Sequence, residues 1–334
     1  DRLQYCYVSV ACSTDLGSIE GVGECSIAPD VTGETQESAC SFFRMITPDL
    51  EGERVADLQD VKRLLERSAK TPHNESAKAG LDMALLDALG KAKRCPVHSL
   101  LGKQKHTAIP YQAVIAFSDL EHPDEIRQRI QEYMDRGVRH FKLKLGYSDA
   151  YDEAIVRLVR EMDRDVQIAI DANQAWTRSQ ATALMERLER FRITWFEQPL
   201  EHTDWEGLMR LGKHHPVMAD EAIHTYEDLV SYTAQYKLDF LNIKLAKCGG
   251  ILQALRMVEY CKKHSIKAFI GSMVESNIGT AANLHLAAVT DFIQTDVGSF
   301  QYVDDHYTRG IDVEGPSVQV TRGPGLGVRI AGNR

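Results

Sequence analysis

Between residues 139 and 244 this chain repeats one unit, a short apolar run that ends on a charged residue and is followed by an amphipathic stretch. FKLKL carries Lys142 and Lys144, VQIAI runs into Asp171, ITWF into Glu197, PVMA into Asp220, and FLNIKL carries Lys244. Successive members of the series Lys144, Asp171, Glu197, Asp220, Lys244 stand 27, 26, 23 and 24 residues apart. Each interval holds one strand, one helix and two short loops. Strands joined through helices run parallel, and in a parallel barrel their ends converge on one mouth, so five charged side chains are delivered to one rim.

The same alternation predicts strands near 109–115, 139–145, 166–171, 193–197, 217–220, 239–244, 267–271 and 292–296, with amphipathic helices such as SQATALMERLERF in the gaps. Eight strands with helices between most of them imply an α/β fold of the TIM-barrel type with right-handed crossovers. An open doubly wound sheet competes, but the Gly-rich turn expected after its first strand is missing. Residues 1–105 read as an α+β unit. Residues 3–12 and 21–25 form short antiparallel strands around a polar DLGSIEG connection, and SAKAGLDMALLDALG (76–90) reads as a buried helix with a glycine C-cap. The expected organisation is a capping domain over 1–105, a barrel over 106–310, and an extended C-terminal segment over 311–334 that packs back toward the cap. The chain opens at Asp1, without Met and already close to a strand, so further N-terminal residues are expected to precede it.

At 334 residues the chain accommodates a barrel of roughly 200–250 residues beside a smaller domain. Its 39 basic and 48 acidic residues leave a net charge of −9, which offers no basic field to nucleic acid or anionic membrane, and neither partner is expected. No apolar run reaches the ~18 residues of a membrane span. The seven cysteines are scattered, odd in number and without a CxxC pair, which argues against a disulfide framework or zinc knuckle and for a reducing cytoplasm.

Three carboxylates meeting at one mouth form a hard oxygen ligand set. It suits Mg²⁺, with Mn²⁺ as a substitute, better than zinc. A divalent ion held by Asp171, Glu197 and Asp220 can accept a substrate carboxylate and stabilise the charge that grows on it when the neighbouring carbon loses a proton. Lys144 and Lys244 are the expected acid/base pair. They lie four strands apart, so one takes the proton and the other returns it from the opposite side. A lysine base needs a lowered pKa, which the metal and, for Lys144, its neighbour Lys142 are expected to supply. Lys142 and Lys144 leave the same face of their strand, and Lys142 is expected to bind the substrate carboxylate or tune Lys144.

The run KLK, DANQAW, WFEQPL, MADEA, NIKLAKCGG resembles the enolase superfamily, specifically its muconate-lactonizing subgroup with paired lysine bases. Lys or His bases with Mg²⁺ are the known chemistry of such sites. The resemblance extends from GVGECSIAP through SAKAGLDMALLDALGK to GPGLGV. It implies an N-terminal α+β cap, a modified (β/α)7β barrel, cap loops over the site, a small-molecule carboxylate substrate and a homo-oligomer. Two further stretches resemble dipeptide epimerases. PDVTGET, with Thr32, is similar to their cap loop over the substrate, and GSMVESNIG is similar to their seventh-strand segment, here with Glu275. Their Asp-x-Asp pair after the eighth strand, which holds the substrate ammonium, is replaced by IQTDVGSF with Gln294 and Asp296. Asp296 is then the remaining carboxylate for an ammonium, and an N-acyl amino acid or another carboxylate without an ammonium is the alternative substrate.

Asn173 shares the side of Asp171 and is expected to support the metal or stabilise its turn. Lys247, three residues beyond Lys244, is turned away from that strand face and is expected to support the site from behind. His214 and His215 are expected to face solvent, His285 to be a core histidine, and Trp176, Trp195 and Trp205 to be packing anchors. Two rivals stay open: a lyase or cycloisomerase on the same scaffold (muconate cycloisomerase, dehydratase or o-succinylbenzoate synthase-like), and a non-catalytic binding protein that retains the site. A zinc amidohydrolase would want paired histidines at the first strand end, and residues 109–117 have none.

Overall fold

The computed structural model describes residues 4–14, 17–116, 123–301, 305 and 308–330. Strands β1 (Gln4–Thr14) and β2 (Gly17–Ile27) pair antiparallel along their whole lengths, from Gln4 opposite Ile27 to Thr14 opposite Gly17. SIEG is therefore strand, where the sequence reading made it part of the connection. Asp15 and Leu16 of that connection lie outside the described residues. Helices α1 (Pro29–Thr32), α2 (Gln36–Leu50), α3 (Leu58–Ser68) and α4 (Glu75–Ala92) follow.

Helix α4 is buried on every side and joins the parts of the molecule. β2 lies so close to it that a Cβ on Gly23 would stand 2.0 Å from the Gly80 carbonyl oxygen. The buried Asp82 accepts backbone N–H bonds from Ile251 at 2.7 Å and Leu252 at 3.4 Å, in the first turn of the barrel helix Ile251–Lys263. Asp87 accepts from the N–H groups of Val22 at 2.8 Å and Leu326 at 2.7 Å, and pairs with Lys91. Gly90 is not the expected C-cap. The helix runs on to Ala92, and Gly90 is needed because the backbone of Gly325 crosses there, 2.7 Å from where a Cβ would sit.

Seven parallel strands form one sheet in the order of the chain: β4 (Ala113–Ile115), β5 (His140–Lys144), β6 (Gln167–Asp171), β7 (Ile193–Glu197), β8 (Val217–Ala219), β9 (Phe240–Ile243) and β10 (Lys267–Ile270). Helices stand in every gap and after β10, which is the (β/α)7β arrangement. The expected first strand is split. β3 (Ala108–Pro110) pairs antiparallel with Ser317–Gln319, and only residues from Ala113 onward enter the barrel sheet. The expected eighth strand is reduced to a single bridge, Ile270 to Thr295. It still closes the barrel: Ile293 N–H donates to Ala268 O and Ile270 N–H to Gln294 O on one side, while Gln112 N–H donates to Thr295 O on the other.

The alternation of strand side chains separates two layers. Phe141, Leu143, Ile168, Ile170 and Phe196 join the main core under the helices. Ala169, Trp195, Met218 and Phe269 form a separate apolar cluster, with Phe240 and Ile293 packed on it. Ala169, Trp195 and Met218 each stand two residues before a carboxylate of the series, so this cluster is the floor beneath the barrel mouth. No helix among the described residues is long and apolar enough to cross a membrane.

Candidate active site

Strand register assembles the site. Lys144 is paired with Asp171 and Asp171 with Glu197, so three neighbouring strands end level with one another. Asp220 follows β8 directly. Asp171, Glu197 and Asp220 are fully buried, and each offers an oxygen within 4.8 Å of the others. Lys144 Nζ lies 2.6 Å from Asp171 Oδ2, and Lys244 Nζ lies 2.6 Å from Asp220 Oδ2. Lys142 sits lower and between them, 2.9 Å from Glu197, 3.7 Å from Asp171 and 2.6 Å from Asp296, with its ammonium 5.2 Å from the centre of the Phe269 ring.

The remaining residues singled out from the sequence fall around this cluster in different ways. Asn173, held at φ +42°, accepts from Lys144 Nζ at 2.8 Å and donates its backbone N–H to Asp171 Oδ1 at 2.9 Å. Lys247 is buried behind Asp220 and donates to its carboxylate at 2.6 Å and its carbonyl at 2.5 Å, with Ile223 and Asn242 carbonyls at 3.2 Å. Asp296 is engaged on both oxygens, by Lys142 and by Gln112 Nε2 at 2.6 Å. Glu275 is buried and accepts from Ser272 Oγ at 2.5 Å and from Met273 N–H at 2.8 Å, within its own loop. The Thr32 hydroxyl donates to Ala28 O and accepts from Glu34 N–H. Helix α1 nevertheless reaches the rim, because Asp30 and Val31 line a cavity of about 450 Å³ with Gln174, His202, Trp205 and Glu221.

Three contacts escaped the sequence reading. Asn242 donates to Glu197 Oε1 at 2.8 Å. Gln198 accepts the backbone N–H groups of Asp220 and Ala222 at 3.0 and 3.1 Å, fixing the approach to the third carboxylate. Glu221 is buried and meets Asn173 Nδ2 at 3.3 Å. A signal existed for each: Asn242 stands two residues before Lys244 on the same strand face, and Gln198 and Glu221 directly follow carboxylates of the series. His215, expected in solvent, is buried with its Nδ1 2.9 Å from Glu189, while His214 is exposed. His285 is a core residue, bonded to Thr321 and the Leu326 carbonyl and stacked on His98.

Burial and charge pull these groups apart. Burial, reinforced by the charge of Asp171, pushes the Glu197 carboxyl up to about 8. Burial also opposes ionisation of Asp171 and Asp220, but Lys144 and Lys142 outweigh it at Asp171, as do Lys244 and Lys247 at Asp220, and both fall below the ordinary carboxylate range. From the protein's own groups alone, Lys244 does not show the lowered value expected from sequence. Burial opposes charge on Lys142 and Lys244, but Asp296 and Glu197 around the first and Asp220 and Glu221 around the second outweigh it, and both are raised.

These residues fit a divalent cation. All three donors are fully buried carboxylates. Magnesium-to-oxygen bonds of about 2.1 Å put opposite ligands about 4.2 Å apart, so the 4.8 Å spread closes with a small adjustment. Glu197 Oε2 and Asp220 Oδ2 lack any well-aligned hydrogen-bond donor and are met only by the ion-pair approach of Lys142 and Lys244. A buried carboxyl pushed toward its neutral form is what a bound cation would reverse.

Residues 2–102 match the family model described as mandelate racemase / muconate lactonizing enzyme, N-terminal domain, and residues 125–334 match that described as enolase C-terminal domain-like. The chain belongs to the enolase superfamily, in its muconate-lactonizing subgroup. It is 29% identical over 330 residues to the N-succinyl-L-Arg/Lys racemase of Bacillus cereus, covering 97% of this chain and 87% of that protein. The crystal structure of that racemase gives a TM-score of 0.89 at 26% identity, over 97% of this chain and 88% of that chain. A dipeptide epimerase from Enterococcus faecalis, solved with Mg and the dipeptide L-Leu-L-Tyr, gives a TM-score of 0.86 at 26% identity over 98% of both chains. Chloromuconate cycloisomerase of Pseudomonas putida is 27% identical over 327 residues, covering 94% of this chain and 86% of that protein. Racemases, epimerases and cycloisomerases are thus all among its relatives at similar distances.

Proposed function

We propose that this chain is a Mg²⁺-dependent racemase or epimerase that inverts the α-carbon of an amino-acid-type carboxylate, with dipeptides the leading substrate class. The observation that carries this reading is the pairing of Lys144 and Lys244 with different carboxylates of one buried triad, each at 2.6 Å, from strands four places apart in the sheet. Asp171, Glu197 and Asp220 would hold the metal, which supplies positive charge for the substrate carboxylate as its α-proton leaves. With Asp220 committed to a cation, Lys244 would lose the carboxylate that most favours its charge, which eases the loss of its proton. One lysine, neutral, takes the α-proton and becomes an ammonium. The other, already an ammonium, donates a proton to the opposite face of the same carbon and becomes neutral. Lys142, fixed among Glu197, Asp171 and Asp296, stays charged and holds the substrate carboxylate. Asn173 and Lys247 orient Lys144, Asp171 and Asp220.

A second reading, an N-acyl amino acid, is favoured by one observation. Both oxygens of Asp296 are already engaged, by Lys142 and Gln112, so a substrate ammonium would have to displace one of them. The test is a screen of dipeptides and N-acyl amino acids with Mg²⁺ in D₂O. An epimerase puts deuterium at the α-carbon without any change in ultraviolet absorbance. Formation or loss of an absorbing double bond without α-deuteration would instead identify a lyase or cycloisomerase.

A further inference from the structure

The proposed chemistry uses only the C-terminal ends of the barrel strands. At the opposite end, the segments leading into β6 and β7 border an open surface cleft of about 620 Å³ lined by Arg157, Arg160, Arg164, Arg190, Phe191 and Arg192, with a single carboxylate, Glu161. Five guanidinium groups in one concavity stand out in a chain of net charge −9.

Arg160 holds the cleft in shape. Its Nε donates to Phe191 O at 3.0 Å and its Nη1 to Arg164 O and Val166 O, both at 2.8 Å, so one side chain ties the two segments together. Arg192, in the left-handed region at φ +54°, closes the tie with a bond to the Arg164 carbonyl.

Counter-charge is short. Arg157 and Arg190 share one carboxylate, Glu153, which Arg187 also approaches at 3.7 Å. Asp163 is turned to the backbone N–H of Asp165 at 2.7 Å. Among the described residues no ion pair reaches Arg164 or Arg192, and both are exposed. Arg160 is pushed below the ordinary guanidinium value first by burial and then by the charge of Arg192, which together outweigh the opposing charges of Asp163 and Asp165.

We propose that this cleft binds a small, multiply charged phosphoanion of the pyrophosphate or nucleoside-polyphosphate type. Guanidinium groups meet phosphate oxygens through paired, charge-assisted bonds. Like charges that converge on too few carboxylates are relieved by an anion carrying several charges at short spacing. The volume lies in the range of small-ligand sites, about 300–1,000 Å³, and the open mouth of the cleft suits a hydrated, multiply charged anion better than an apolar ligand. Arg164 provides a free fork and Arg192 the guanidinium nitrogens left over from its bond to the Arg164 carbonyl, while Arg160 is a positioning residue.

The test is calorimetric titration of the Mg²⁺-loaded full chain with pyrophosphate, equal excess Mg²⁺ in both solutions, compared with sulfate at matched ionic strength. Wild type is set beside Arg164→Gln/Arg192→Gln and, as a second pair that leaves the backbone ties intact, Arg157→Gln/Arg190→Gln. The expected result is saturable one-to-one binding, tighter for pyrophosphate than for sulfate. Each double variant weakens it about tenfold or more, with Mg²⁺ affinity at the triad unchanged. Equal binding by wild type and both variants, or equal affinity for sulfate and pyrophosphate, would overturn the proposal. So would a wild-type oligomer that binds no pyrophosphate and dissociates in the variants, because the cleft would then receive an acidic face of a second copy.

Discussion

Asn242 carries no charge, yet its amide is one of the two groups that fix the orientation of Glu197; Lys142 is the other. Glu197 is the triad member whose charge is hardest to keep, so its orientation limits how well the three carboxylates act together. Asn242→Ala is expected to weaken Mg²⁺ binding about 10–100-fold, as loss of a ligand's supporting hydrogen bond does elsewhere. Competition against a Mg²⁺ indicator measures this, and an unchanged affinity would show that Lys142 alone suffices. At this scale the charged residues were legible and their neutral supports were not. A carboxylate ending an apolar run contradicts its surroundings and draws notice, whereas Asn242 or Gln198 in the same position is easily read as turn chemistry. The raised value that the protein's own groups give Lys244 was missed for a related reason: spacing showed which charges converge, but not how closely Asp220 and Glu221 would sit around that amine.

Helix α4 shows what an element does beyond packing. Asp82 projects from it to accept the first N–H groups of a barrel helix, and burial pushes its carboxyl up to about 7. A folded value above the unfolded one means that the folded state holds the proton more tightly. The contribution of Asp82 to stability is therefore fully present below pH ~4 and is lost as pH rises through about 7. Asp82→Asn keeps an acceptor for Ile251 and removes the titration. Its melting temperature relative to wild type is expected to rise between pH 4 and pH 8, and a constant difference across that range would contradict the assignment. Element boundaries were legible where a strand belonged to one sheet only. The alternating run from 108 to 115 serves two sheets, turning between Pro110 and Ala113, and periodicity does not say where one partner ends and the next begins. Residues 293–296 keep the hydrogen bonds of a strand on the β10 side, but the run is too short to be more than a bridge. Gly90 had the composition of a helix stop and instead marks a backbone crossing that involves a residue 235 positions away.

Across the whole molecule, buried carboxylates of the cap are among the groups that tie it to the rest of the chain. Asp82 reaches a barrel helix, Asp87 reaches the C-terminal segment, and Glu24 of β2 accepts from Ser276 at the start of the helix after β10. The mouth of the barrel is therefore held by long-range contacts, and occupation of the triad is expected to stabilise the entire chain. At Mg²⁺ one hundred times its Kd the gain is about 2.7 kcal/mol, seen as a rise of several degrees in melting temperature that chelator reverses and Asp220→Asn abolishes. An equal response of the variant would place the ion elsewhere. The barrel class and the convergence of five charged residues were legible because they follow from one period. The contacts that join cap to barrel were not, since each pairs residues far apart in sequence and leaves no local pattern.

The central claim is that two amines face one α-carbon from opposite sides of the triad. Proton exchange in D₂O, followed separately for each enantiomer of a substrate found in the screen, tests it most directly with Lys144→Ala and Lys244→Ala. Each variant is expected to lose inversion by about 10²–10⁴-fold while still exchanging the α-proton of one enantiomer, a different one in each. Inversion at the wild-type rate in both variants, or loss of exchange from the same enantiomer in both, would contradict the account.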